Sequence, residues 1–186
     1  MNMDRAAALE LMHEYVENIP LRRHMYAVEA AMRAYARVWN EDEEKWGLVG
    51  LLHDFDYERY PNAPDHPLQG SKILREKGIS EDIVYAILSH ADYLSDYPRV
   101  SRLDKTLYAC DELCGFLVAC AYVRPLRLGD LEARSVRKKL KNLSFAAAVN
   151  RDDIQRGVAD LGLDLDEHIT FCIEALRGIS DQLFDN

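Results

Sequence analysis

Trp46-Gly47-Leu48-Val49-Gly50-Leu51-Leu52-His53-Asp54 decides how the chain is to be read. The first part is the inside of a helix, yet the run ends on an imidazole and a carboxylate. Burying even a neutral polar group without a partner costs roughly 2 to 7 kcal/mol, so His53 and Asp54 need something to bind. Three other residues are embedded in the same way. His24 lies on an upstream helical pattern, His90 ends Ile83-Val84-Tyr85-Ala86-Ile87-Leu88-Ser89, and Asp111 sits inside Leu107-Tyr108-Ala109-Cys110-Asp111-Glu112-Leu113-Cys114. Imidazoles and carboxylates on separate helices converge on metal ions inside bundles, so a metal is the leading partner.

Working outward, apolar spacing is helical almost everywhere. Leu21, Met25, Val28, Met32, Tyr35 and Trp39 recur at alternating four and three, which predicts one buried stripe over 21–39 with His24 on its shoulder. Asn40 with Glu43 predicts the cap of a second helix running to about Tyr57, in which His53 points inward and Asp54 is turned by about 100°. Pro61 and Pro64 make 58–65 a loop, and a helix is expected from Pro67 to Gly78. Ser80 caps the next helix, with Ile83, Ile87, His90 and Leu94 on one stripe. Ser101 with Asp104 opens another, aligning Leu107, Asp111, Cys114 and Val118. Further helices are expected near 130–142, 144–149, 151–161 and 165–180, and no period-two strand pattern occurs. The expectation is an all-α bundle of about eight or nine helices in one domain over 1–186. Its motif-bearing core is 20–122, with the helices of 125–186 packed on it.

The order of a helical His, a His-Asp pair and a distant Asp resembles the HD superfamily of metal-dependent phosphohydrolases, over roughly residues 20 to 122. His66-Pro67-Leu68-Gln69-Gly70 and Ile87-Leu88-Ser89-His90 are similar to the further His positions that many members carry. The pair is followed by Phe55-Asp56-Tyr57 rather than Ile-Gly-Lys, so the substrate habits of the His-Asp-Ile-Gly branch do not carry over. The resemblance implies that His24, His53, Asp54 and Asp111 hold one ion, and that His66 and His90 hold a second with Asp54 as the bridge. Nitrogen and oxygen donors suit Mn, Fe, Co, Ni or Zn. Such an ion acidifies water and polarises a phosphoryl oxygen. Asp54 and Asp56 are then the expected catalytic carboxylates, Asp56 orienting the attacking water. The same ligand set loaded with iron resembles the mixed-valence diiron oxygenases of the superfamily. A sensing or interaction domain that keeps its metal as a structural pin is a third reading.

At 186 residues the chain can bury a core without structural metals or disulfides. No stretch approaches a membrane span, and no basic-then-apolar leader opens the sequence, which predicts a soluble cytoplasmic protein. Cys110, Cys114, Cys120 and Cys172 lie in apolar helical contexts and read as core thiols before a zinc or redox pair. His13 and His168 fall outside the metal pattern. A net charge of −9 argues against extended nucleic acid and leaves a small-molecule phosphate substrate as the expected partner. The charge is uneven, however: 124–141 is +5 and the remainder −14. That segment is either a solvated helix face or a phosphate clamp over the metals. Arg134 and Lys138, together with Arg59, Lys72 and Arg23, are the candidate substrate-binding cations.

Overall fold

A computed structural model describes residues 3–184, and in these residues there are helices and turns but no strand. Ten helices follow one another: α1 (Arg5–Tyr15), α2 (Ile19–Trp39), α3 (Glu43–Leu52), α4 (Asp65–Glu76), α5 (Glu81–Ser89), α6 (Arg102–Tyr122), α7 (Ala133–Leu140), α8 (Arg151–Leu161), α9 (Leu165–Arg177) and the short α10 (Ser180–Leu183). None of them is long and apolar enough to cross a membrane.

The two longest helices carry the architecture. Asn18 accepts from the Leu21 amide and Pro20 sits in the first turn, so α2 starts where its free N–H groups are satisfied. Met25, Val28, Met32 and Tyr35 are buried as the spacing predicts. The capping box expected at α6 is complete, with Ser101 and Asp104 satisfying each other's backbone amides. Around these, α2 packs chiefly on α3 and α6, and α8 lies along α6.

The approach of α3 to α2 is close because Gly50 has no side chain. A Cβ there would meet Glu29 Cα and N at 2.8 Å. Glu29 itself is buried and paired with Arg5 at 2.6 Å and Arg33 at 2.9 Å, which removes the cost of a lone carboxylate between helices. This contact sets the distance between His24 and His53.

Several boundaries differ from the spacing. Asn40 does not cap α3; it ends α2 in the left-handed region at φ 55°, and Asp42 accepts from the Lys45 amide instead. The helix expected to run to Tyr57 stops at Leu52 and tightens into turns, with Phe55 N donating to Leu52 O and Tyr57 N to Asp54 O. The tighter winding buries His53, Phe55 and Asp56 together, which one helix face could not do, and leaves Asp54 partly open. α4 starts at Asp65 rather than Pro67, with a kink at His66 and Pro67. Residues 144–149 form turns, not a helix. The seven positions between Asn142, whose Oδ1 accepts from Ser144, and the α8 cap Asn150 are too few to repay helix nucleation.

Gly50→Ala should lower stability by about 1 to 3 kcal/mol, the usual cost of overpacking a close contact, and should weaken metal retention by separating α2 from α3. Thermal unfolding followed by circular dichroism, with metal content measured alongside, checks this; an unchanged midpoint would contradict the close approach.

Candidate metal centre

α2 presents His24, the end of α3 presents His53 and Asp54, and α6 presents Asp111. His24 Nε2 lies 3.1 Å from His53 Nε2 and 3.0 Å from Asp111 Oδ1. Asp54 Oδ2 is 3.7 Å from His24 Nε2 and 3.5 Å from His53 Nε2. The donor atoms of these four residues all lie within 4.8 Å of one another. On the other side of the same carboxylate, Asp54 Oδ1 is 3.2 Å from His66 Nε2 and 3.5 Å from His90 Nε2, and the two imidazoles are 3.3 Å apart. Asp54 therefore turns one oxygen to each pair of histidines.

The opposite ring nitrogens decide what this cluster can hold. His53 Nδ1 donates to Gly50 O at 2.8 Å, His90 Nδ1 donates to Ile87 O, and His66 Nδ1 donates to Asp56 Oδ1 at 2.7 Å. A carbonyl or carboxylate can only accept, so in all three rings Nδ1 carries the proton and Nε2 keeps the lone pair when neutral. Lone pairs then face one another and two carboxylates, an arrangement that calls for a cation. The donor set fits a divalent metal with imidazole and carboxylate ligands at each of two positions.

The titration behaviour carries the same information. Burial disfavours the charged form of His53, but the Asp54 and Asp111 carboxylates outweigh it and hold the ring above the usual histidine range. Burial also opposes protonation of His66, yet its hydrogen bonds to Asp54 and Asp56 push it up to about 9. Asp54 and Asp111, against the effect of their own burial, are held below the usual carboxylate range by the surrounding histidines. Each of these shifts runs in the direction of a cluster suited to positive charge.

Asp56 differs from expectation. It is fully buried, with Oδ1 taken by His66 and Oδ2 accepting from the Gly70 amide at 2.7 Å. Buried away from the cleft lining, Asp56 fixes the tautomer and direction of His66. Gly70 is required here because a Cβ would meet the Asp56 carboxylate at 2.7 Å.

The cluster opens into a cleft of about 700 Å³ between the 57–66 turn, the 90–93 turn, α6 and the start of α8. Its wall is acidic. Asp92, Glu112 and Asp153 join the metal-binding carboxylates, and burial beside Asp111 pushes Glu112 up to about 7. The expected cations are elsewhere. Arg59 donates to Glu14 O and lies 3.8 Å over the Tyr15 ring. Lys72 is exposed and bonded to Gln69, and Arg23 donates to Tyr122 at 2.6 Å. Arg134 and Lys138 are exposed on α7 and do not line the cleft. One arginine does line it, Arg156 of α8, held by Asp92 at 2.7 Å and by Asp153. The spacing predicts a helix over 151–161, but nothing local reveals that it lines the cleft.

The remaining cluster of metal-ligand types is not equivalent. Cys110, His168 and Cys172 are buried together, but His168 Nε2 donates to Ala109 O at 2.9 Å and its Nδ1 accepts from Tyr35 at 2.5 Å. Both ring nitrogens are committed, as in an ordinary hydrogen-bonded core histidine.

An all-helical bundle with a two-part His/Asp centre at the meeting of α2, α3 and α6 is thus the class of molecule. The HD domain family model matches residues 21–115, and the chain belongs to the HD domain family. HD domains bind divalent metals and are commonly hydrolases. No solved structure shows a significant match to the chain.

Asp56→Ala should lower affinity for the ion at His66 and His90 by about tenfold to a hundredfold, the usual effect of removing an outer hydrogen-bond partner, while the ion at His24, His53 and Asp111 stays. His90→Ala should take the metal content from about two equivalents to about one, as expected of a lost ligand. Elemental analysis after dialysis reads both; unchanged stoichiometry in both variants would mean a single-ion centre.

Proposed function

We propose that the protein is a metal-dependent phosphohydrolase that cleaves a small phosphate ester such as a nucleotide. The observation that carries this reading is the Asp54 carboxylate, whose two oxygens face two separate imidazole pairs. Two divalent cations of the Mn, Fe, Co, Ni or Zn type held there would supply the charge that polarises a phosphoryl group and acidifies water.

The chain's own residues handle the rest of the substrate. Arg156 has its Nη2 committed to Asp92 and Asp153 and projects a half-exposed guanidinium into the cleft, where its other N–H groups can donate to a phosphate oxygen. Tyr57 and Tyr93 are exposed in the same wall and offer ring faces to a flat or apolar portion. Tyr93 is held in place by donating to His66 O. Because the rest of the wall is acidic, the substrate's negative charge is met by the cations and Arg156 rather than by a basic clamp.

That acidity also favours a second reading. A substrate carrying little phosphate charge suits an oxygenase that uses a diiron pair on the same scaffold. Two equivalents of iron and oxygen uptake would separate it from hydrolysis, in which phosphate is released without oxygen.

Arg156→Ala should raise KM for a phosphate monoester by about tenfold to a hundredfold, since a charge-assisted hydrogen bond is worth about 1.5 to 3 kcal/mol, with little change in thermal stability. Steady-state kinetics on a phosphate ester that the metal-loaded protein hydrolyses checks this. Failure to release phosphate from any of a broad panel, with both metal positions loaded, would overturn the hydrolase assignment.

A further inference from the structure

The basic segment lies outside the cleft, and its placement is a finding of its own. We infer that the cavity between α6 and α7 is a second binding site, independent of the metals, for a small polyanionic ligand of the phosphorylated-metabolite class. The cavity holds about 480 Å³ and gathers Arg124, Lys138 and Lys139 with Ser135 and Asn142 above a floor that includes buried Cys120. It shares no lining residue with the metal cleft.

The cations there differ from those elsewhere on the molecule. Arg137 pairs with Asp166 at 3.2 Å across to α9, the ordinary fate of a surface arginine. Lys138 and Lys139 have no carboxylate within ion-pair distance among the described residues. Lys139 is half-buried, its ammonium 4.3 Å over the Phe145 ring. Arg124 is held by both carboxylate oxygens of Asp130 at 3.0 Å and by Asp130 O, so its position is fixed beforehand. Asn142 accepts from the Ser144 amide and hydroxyl through Oδ1, which directs its NH2 donors away from that turn.

Two further features separate this arrangement from a solvated helix face. A solvated face is convex, whereas these groups surround a half-open hollow with apolar side chains at its base. Burial pushes the Cys120 thiol up to about 11, and the groups that pull the other way are Lys139, Arg124 and Arg151, which places their charges around one point. In a chain with net charge −9, an anion would meet repulsion over most of the surface and attraction here. The volume lies in the range of small-molecule sites. The polar groups are donors suited to phosphate, and Cys120, Val123 and Leu131 suit an apolar or planar portion.

The test is calorimetric titration of the metal-loaded full chain with pyrophosphate and with ADP, repeated at higher salt. Expected, beside any binding at the metals, is one saturable site that weakens with salt, loses at least tenfold in affinity in Lys138→Glu and Lys139→Glu, and persists within about twofold in Asp54→Ala. Lys138 is exposed, so Lys138→Glu should leave the unfolding midpoint unchanged, whereas Lys139→Glu also gives up the contact with Phe145 and should lower it slightly. Equal affinity in the lysine variants, or loss of binding in Asp54→Ala alone, would overturn the inference by placing the anion at the metals. Sedimentation with phosphatidylserine vesicles in place of saturable small-anion binding would overturn it in favour of a membrane surface.

Discussion

A single carboxylate set among four imidazoles is the constraint on which the rest depends. Asp54 can satisfy both imidazole pairs only if its two oxygens point in opposite directions, and the pairs must then stand on opposite sides of it. Four backbone segments are therefore fixed relative to one residue. His24 belongs to α2, His53 to α3, His66 to the kinked start of α4 and His90 to the end of α5. A shift of any one of them would take an imidazole nitrogen out of reach of that carboxylate and leave a polar group without its partner, which is worse than an apolar contact.

The surrounding structure can be understood as what holds those four segments still. Gly50 lets α3 lie against the α2 backbone, and the Arg5, Glu29 and Arg33 group ties α1 to the same level. After His53 the chain turns tightly, and Glu58 accepts from the Glu17 and Asn18 amides, which anchors that turn at the junction of α1 and α2. Asp56 then reaches across to His66 and Gly70 and draws α4 in. The same turn residues that sit beside the metal-ligand pair in sequence are used for anchoring, which is why Arg59 and Asp56 are bonded away from the cleft lining.

Much of this was legible in the chain before any coordinates. The stripe from Leu21 to Trp39 and the Ser101 and Asp104 box follow from local chemistry, and local chemistry decides where helices begin. The ligand types at His53, Asp54, His90 and Asp111 were visible because each interrupts an apolar run, whereas His24 stood on the shoulder of a helical stripe and His66 entered through the resemblance. What sequence could not supply was the destination of long flexible side chains. Arg59 lies next to the motif but is captured by Tyr15 and Glu14; Arg156, over a hundred positions from His53, is the arginine that lines the cleft. Segment 144–149 was misleading for a related reason. Its alanines favour a helix, but a guanidinium from outside the segment takes up the carbonyls that a helix would have used.

That guanidinium is Arg151. Its Nη1 donates to Ala146 O and Val149 O at 2.6 Å, and its Nη2 donates to Phe145 O and, at 3.4 Å, to Asn142 O. One side chain thus does for an irregular stretch what a ladder of amides does for a helix. The stretch it stiffens has Asn142 at one end, on the basic cavity, and Ala148, Val149 and Asn150 at the other, on the metal cleft. The same side chain thus holds one residue at the edge of each chamber, Asn142 and Val149, by their carbonyls, while the residues lining the two chambers stay separate.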